Sequence, residues 1–351
     1  MSGGGALGVA AWWMRWQEGR DEAELVYKVD YYLAANTADL LHKPARRLGN
    51  RRRVRTGRET LDASRTAALG SDVITQPTSV LEPHHPPLQR ALGAGRIKAR
   101  AEDGTTRLER LFQDGCAKIR LPKDHAAHSL EAVLINTAGG LTGGDRLSWR
   151  AEAGPGAALT LTTPACEKIY RARDGRAETT ASLTLGAGAR LDWLPQETIL
   201  FDGGALSRRL EADLAPDARL LVAEAVVLGR TAMGESVRQG ELRDRWRIRR
   251  EGRLVFADDL AFAGPVAGTA DRSPILGGGR AFASLLLVAE DAPRFLAPLR
   301  AAIGDAGGAS AFAGKLFCRI VAADGLALRR ALLPALEVLQ DGEPCPRVWR
   351  L

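Results

Sequence analysis

Histidine and cysteine are scarce in this chain, five and four among 351 residues. The cysteines, at 116, 166, 318 and 345, include no C-x-x-C pair, which excludes a zinc ribbon and a dense disulfide framework. A reducing cytoplasm is therefore the expected location. The N-terminal M-S-G-G-G-A-L-G-V-A-A-W-W-M-R-W has neither the basic start nor the unbroken apolar core of a secretory signal. No apolar run reaches the ~20 residues of a membrane-spanning helix, so no membrane contact is expected. Aromatic residues make up 5% of the chain, too few for the stacking platforms of a carbohydrate cleft. There is no G-x-S-x-G elbow, and His125 and His128 both precede the chemically richer segments, so serine and threonine hydroxyls lack an activating base.

What is present describes an ordinary soluble globular composition, with 45% hydrophobic and 26% charged residues. The net charge of +7 arises from 49 basic and 42 acidic side chains that are mostly interspersed. Such a surface suits an acidic protein partner, and no nucleic-acid binding is expected. Residues 1–87 differ from the rest. Lys43 to Arg58 carries eight Lys or Arg and no Asp or Glu, and 83–87 reads P-H-H-P-P. This composition reads as a poorly ordered extension whose removal up to residue 80 leaves folding intact. His84 and His85 are too few for a defined metal site.

From residue 117 onward the pattern is β. Runs rich in Val, Ile, Leu and Thr at 130–136, 158–163, 179–185, 206–214, 219–228, 253–262, 284–289 and 316–322 are separated by Gly and Pro. Leu206, Leu210, Ala212 and Leu214 share one face by alternation, as do Leu316, Cys318, Ile320 and Ala322. An internal repeat sharpens this: G-P-G-A-A-L at 154–159 returns as G-A-G-A-R-L at 186–191 and as A-P-D-A-R-L at 215–220. Recurrence about every thirty residues is the mark of stacked β units, none of which can bury its apolar face alone. The segments after each repeat must then emerge on one side of the stack, gathering Glu167, Glu197 and Glu224 on neighbouring strands within roughly 10–20 Å. Helix is scarce and late: Phe295, Leu296, Leu299 and Ile303 form one stripe, and Leu332, Leu336 and Leu339 another. Pro334 is expected to kink or restart the second.

Four turn-like blocks carry the chemistry: N-T-A-G-G-L-T-G-G-D at 136–145, T-T-P-A-C-E-K-I-Y-R at 162–171, L-P-Q-E-T-I-L-F-D-G at 194–203 and G-R-T-A-M-G-E at 229–235. The glycines Gly139, Gly140, Gly143 and Gly144 lack the following Lys-Ser/Thr of a phosphate loop and sit between strands, which makes a tight turn, with Asp145 capping it or lining a water-filled passage. Paired carboxylates among Glu167, Glu197, Asp202, Glu224 and Glu235 could serve a β-solenoid polysaccharide lyase or hydrolase. The accompanying Lys168, Arg171 and Arg230 instead read as an ion-pair network.

The four blocks together, with the ending P-R-V-W-R-L at 346–351, resemble the urease accessory protein UreD family, called UreH in some organisms; the likeness runs from about Leu88 to Leu351. Lys168, Tyr170, Arg171, Gln196 and Arg230 belong to those blocks. The resemblance implies a mainly β fold of stacked sheets, a β-solenoid-like body with a few C-terminal helices spanning 88–351. It implies no catalysis and no tightly bound cofactor, only nickel in transit. The implied partners are apo-urease structural subunits on one side and UreF on the other, with UreG recruited through UreF and the C-terminal helical region docking UreF. Glu197 and Asp202 lead as residues lining the nickel route, with Glu167, Asp145, Glu224 and Glu235 behind them. Cys166 departs from the family's usual small residue.

Overall fold

A computed structural model describes residues 28–30, 89–122, 129–230 and 233–349. The strands are β1 (Lys28–Asp30), β2 (Leu92–Glu102), β3 (Thr105–Gly115), β4 (Ala117–Arg120), β5 (Leu130–Asn136), β6 (Arg146–Ala153), β7 (Ala158–Thr162), β8 (Glu167–Ile169) and β9 (Ala177–Leu185). They continue as β10 (Arg190–Leu194), β11 (Thr198–Leu200), β12 (Ala205–Leu214), β13 (Arg219–Leu228), β14 (Gly240–Arg250), β15 (Arg253–Gly264), β16 (Ala281–Val288), β17 (Gly307–Phe312) and β18 (Lys315–Ala322). Among the described residues three α-helices follow the β-rich stretch or interrupt its end: α1 (Val266–Ala270), α2 (Leu296–Ile303) and α3 (Gly325–Leu339). The expectations for residues 1–87 lie outside the described residues, apart from β1, which pairs in parallel with β15.

The chain winds between two sheets. Strands β2, β6, β9, β12 and β14 lie side by side in parallel in an eight-stranded sheet, and β5, β7, β10 and β13 in parallel in a ten-stranded one. Each pass through one sheet turns a corner into the other, which is the stacked, solenoid-like architecture the repeat predicts. The register is that of the repeat: Leu159 pairs with Leu191 and Leu191 with Leu220. At each corner Ala157, Ala189 and Ala218 are buried, and their N–H groups donate to the carbonyls of Gly154, Gly186 and Ala215. Only small residues fit there, since a Cβ on Gly186 would lie 2.8 Å from the Pro155 nitrogen.

The winding stops at the Glu251–Gly252 turn, where both residues have positive φ (51° and 76°), the two-residue geometry that folds a chain back on itself. Strand β15 therefore runs antiparallel to β14, and β16 antiparallel to β13. The β signal also begins earlier than residue 117. An Asp103–Gly104 turn of the same positive-φ kind joins β2 and β3, whose alternation is diluted by charge on the exposed β3.

Burial explains the sequence patterns. The eight-stranded sheet has one solvated face, so β12 alternates, with Leu206, Leu210, Ala212 and Leu214 inward as expected. The ten-stranded sheet is covered on both sides, so β16 is buried at all eight positions and β13 at nine of ten. Its outer face packs on α2 and α3 through Leu221, Ala223, Leu285, Leu316, Cys318 and Ile320. Both expected helical stripes, Phe295 to Ile303 and Leu332 to Leu339, face this layer. Helix α3 runs through Pro334 without a break, a correction to the expected restart. Pro334 is on the exposed side, while Leu328, Leu332, Ala335, Leu336 and Leu339 anchor both halves to the sheet and offset the one lost backbone bond. Asp324 caps the helix start by accepting from Ala327 N–H (2.8 Å), and Arg219 and Arg190 donate to the last carbonyls, Leu339 (2.7 Å) and Gln340 (3.1 Å).

Candidate functional site

All four motif blocks converge at the end of the strands opposite the repeated corners, and they do so with the period of the coil. Asn136 meets Glu167, Cys166 meets Glu197, Arg171 meets Asp202 and Trp193 meets Glu224, each pair 31 residues apart. Equivalent positions on successive coils thus become spatial neighbours, and Glu167 N–H donates to the Glu197 carbonyl (3.0 Å). Strand β11 in turn pairs with β13 through Thr198 and Val226, next to Glu224. Glu167 on β8 and Glu224 on β13 thus lie either side of β11, with Glu197 just before that strand, and their side chains enter three different environments.

The glycine loop is a turn between β5 and β6. Asp145, buried, accepts from Thr142 N–H (2.7 Å) and Ala91 N–H (2.8 Å), so it caps the turn. Gly140 is required by Tyr170, whose ring would lie 2.3 Å from an added Cβ. Tyr170 in turn donates to the Gly139 carbonyl (3.3 Å), and the Lys168 carbonyl accepts from Leu141 N–H (2.7 Å) while its ammonium points to solvent. Glu167 accepts from the Asn136 amide (3.1 Å), but burial outweighs that bond and raises its pKa to about 7.

Glu197 is buried and clamped by α3. Arg329 donates from Nε (3.0 Å) and Nη2 (2.8 Å) to its carboxylate and from Nη2 to Gln196 Oε1 (2.7 Å). The Gln196 amide donates to the Thr163 and Val348 carbonyls, and Trp349 Nε1 to the Leu194 carbonyl (3.0 Å). The C-terminal P-R-V-W segment is thereby sewn to the L-P-Q-E block, which accounts for the two occurring together. Cys166 Sγ lies 3.4 Å from Glu197 Oε2, and burial with this carboxylate beside it pushes the thiol up to about 11. It is a protonated donor at neutral pH, a poor metal ligand as it stands.

Asp202 organises the outer rim. Its carboxylate accepts from Arg238 N–H (2.8 Å), Gln239 N–H (3.0 Å) and the Arg171 guanidinium (2.8 Å); the backbone N–H of Gln239 first, then Arg238, lower its pKa. Glu235 accepts from Arg230 Nε (2.8 Å) and backbone N–H, which lowers its pKa as well. Arg230 stacks 4.6 Å from the Phe201 ring centroid, and Phe201 meets Tyr170 edge to face. These groups line a surface pocket of about 750 Å³. Within this pocket neither carboxylate is held protonated, as the acid of a hydrolase would be.

Glu224 lies elsewhere, inside the β sandwich. Arg208 bridges Glu224 and Asp244, donating Nη1 to the first and Nη2 to the second (2.5 Å), and also bonds Thr198 (3.2 Å). Trp193 Nε1 donates to the other Glu224 oxygen (2.8 Å). Burial raises the pKa of Glu224, and although burial alone would lower that of Arg208, Asp244 and Glu224 keep it firmly charged. The register makes this a band: Thr179, Arg208 and Asp244 are lateral neighbours on β9, β12 and β14, and Glu224, Ser284 and Arg319 on β13, β16 and β18. Asp258, paired to Arg319 (2.5 Å), joins it, its pKa raised to about 6 by burial. Apolar clusters flank the band, Leu210, Trp246, Ile248 and Val222 on one side, Leu206, Leu242, Leu260 and Val226 on the other. Thr179 Oγ1, Asp244 Oδ1, Trp246 Nε1 and Asp258 Oδ1 are buried there without a protein hydrogen-bond partner.

Arg208, Asp244, Asp258 and Arg329 are absent from the residues singled out by sequence. The first three had a legible signal, a charged residue at a core-facing position of an alternating strand, as in L-S-R-R-L and F-A-D-D-L. Arg329 had none, because its partner Glu197 is 132 residues away. Among the described residues no group of three or more His, Cys, Asp or Glu is arranged to hold a metal ion, and no helix is long and apolar enough to cross a membrane.

The family model described as "UreD urease accessory protein" matches residues 91–350, the whole wound body with its convergent blocks. The chain belongs to the UreD urease accessory protein family. Relatives named urease accessory protein UreD agree: that of Rhizobium leguminosarum bv. viciae is 54% identical over 264 residues, covering 75% of this chain and 96% of the relative. Those of Agrobacterium fabrum and Chelativorans sp. are 52% and 49% identical, covering 75% and 76% of this chain and 92% and 96% of theirs. UreD relatives thus align with the part of the chain that carries the β body.

Proposed function

We propose that the chain is a non-enzymatic scaffold and nickel conduit of the urease maturation assembly, working in the cytoplasm. It joins apo-urease to UreF, through which UreG delivers nickel in a GTP-dependent step, and it holds no cofactor of its own. The observation that carries the conduit reading is the buried polar band. A row of ion pairs between two apolar clusters is rarely the most stable filling for a β sandwich, because desolvation offsets most of the Coulombic gain. Its retention, with oxygens of Asp244 and Asp258 and the Thr179 hydroxyl left over for water, suits a hydrated cation in passage. Hard oxygen donors bind nickel weakly enough to release it, which a relay needs and a store does not.

In this reading Glu224 lies on the interior route, Glu167 and Glu197 border it on the adjoining strands, and Asp145, Asp202 and Glu235 shape its rim. The carboxylate-based lyase or hydrolase alternative is disfavoured by the lowered pKa of the two pocket acids. Asp244→Asn, co-expressed with urease, UreF and UreG, tests the route, since it removes charge while preserving shape. Urease nickel content and activity should fall about tenfold, one pKa-unit equivalent of lost stabilisation, while the complex still co-purifies. Full activation by a folded Asp244→Asn protein would remove the band from the route.

A further inference from the structure

The rim pocket has an asymmetry that the conduit does not use. Its two acids are spent on the protein itself: Asp202 on two backbone N–H groups and two guanidiniums, Glu235 on the Arg230 and Asp202 N–H groups and the Arg230 side chain. Its three arginines are not spent. The side chains of Arg171, Arg230 and Arg238 are 67%, 49% and 80% exposed, and each commits only part of its five N–H donors. Behind them Phe201 and the half-exposed Tyr170 form an apolar wall.

We propose that this pocket is a docking site for an acidic segment of a partner protein, taking carboxylate side chains on Arg171 and Arg238 and an apolar or aromatic side chain against Tyr170 and Phe201. Guanidinium forks pair with carboxylates in two-bond geometry, and a cavity of about 750 Å³ accommodates several side chains. A nucleotide or free phosphate fits less well. Sites for those use backbone N–H groups aimed at the anion, and here the N–H groups of Asp202, Arg230, Arg238 and Gln239 are already taken by the two acids. The site rests on the reading of the chain as one component of an assembly, but its position at the convergence of the motif blocks is independent of the interior band.

The test is binding of fluorescein-labelled hexaglutamate to the full chain by anisotropy, for wild type, Arg171→Gln/Arg238→Gln and a control, Arg150→Glu/Arg209→Glu, on the open face of the eight-stranded sheet. The pocket pair should bind at least about tenfold more weakly and the control within about twofold, with affinity falling steeply as salt rises. Equal loss in both variants would mean diffuse attraction to a basic protein and would overturn the proposal. So would displacement of the peptide by inorganic phosphate or GTP at concentrations below those of free glutamate peptide, or tighter, Arg171-dependent binding of a DNA oligomer. Thermal melting guards against misfolding, and Arg171→Lys should restore part of the affinity but not all, because an ammonium cannot form the fork. Unchanged peptide binding by Arg171→Gln/Arg238→Gln alongside lost activation by Asp244→Asn would sink the pocket and keep the conduit; weakened peptide binding by the pocket pair alongside full activation by Asp244→Asn would do the reverse.

Discussion

The two ends of the wound strands are built by different means. At the corner end, Ala157, Ala189 and Ala218 are buried and each turn closes by a backbone bond three residues back, with Asp217, which accepts from Gly188 N–H (2.8 Å), adding a side-chain link. At the opposite end, the same coils are joined by side chains: Asn136 to Glu167, Arg171 to Asp202, Asp202 to Glu235, Arg329 to Glu197. Backbone closure requires little more than small residues, so those turns could vary in detail, as G-P-G-A, G-A-G-A and A-P-D-A do. Side-chain closure requires particular partners one coil apart. The function proposed above rests on the end closed by specific charges rather than on the end closed by interchangeable alanines.

Arg208→Ala strikes the band next to the charged end and has the largest expected effect. It strands Glu224 and Asp244 in the interior, and urea denaturation should show about 4 kcal/mol of lost stability. The triple change Arg208→Met, Glu224→Leu, Asp244→Leu sharpens the point: it should recover most of that stability and leave urease activation lost. Recovery of both would mean that the band is structural. At the corner end Leu191→Ala, fully buried at the middle of the three repeated leucines, should cost about 3 kcal/mol by the same measurement, with activation reduced only as far as folded protein is reduced.

Glu167→Gln reports on the charged end through pH. Its folded pKa of about 7 lies above the ordinary 4.5, so the folded state binds the proton more tightly than the unfolded one. Stability from this group is complete below about 4.5 and is lost as pH rises towards 7. The variant should therefore melt about 2–4 °C above wild type at pH 8, roughly 1 kcal/mol after allowance for solvent, and the gap should shrink at pH 5. A gap independent of pH would place the Glu167 carboxylate in contact with solvent. The smallest stability effect is expected for Arg238→Ala, whose exposed guanidinium should contribute less than about 0.5 kcal/mol even though it lines the pocket.

Much of this molecule could be read from its residues. The spacing of Leu159, Leu191 and Leu220 indicated stacked coils, because similar turns recurring about every thirty residues bury their apolar faces by stacking on neighbours in register. The same spacing brought Glu167, Glu197 and Glu224 to the neighbouring strands β8, β11 and β13 or, for Glu197, to the residue just before one. What lies between the sheets was harder to read. Arg208 stands out as a charge on the otherwise apolar inward face of β12, but its role depends on its partners on β13 and β14, which a local pattern does not reveal.

Sequence alone also determined the family, the solenoid-like winding and the two helical stripes, all of which follow from local periodicity and from motif order. The tertiary structure decided the rest. It set Arg329 against Glu197 across 132 residues, closed the C-terminal segment onto the L-P-Q-E block and continued α3 past Pro334. It also separated a buried polar band from an open arginine pocket, although both draw on the same kinds of residue. The physical reason is that backbone periodicity is written residue by residue, whereas desolvation and charge pairing depend on which distant groups the folded chain brings within a few ångströms.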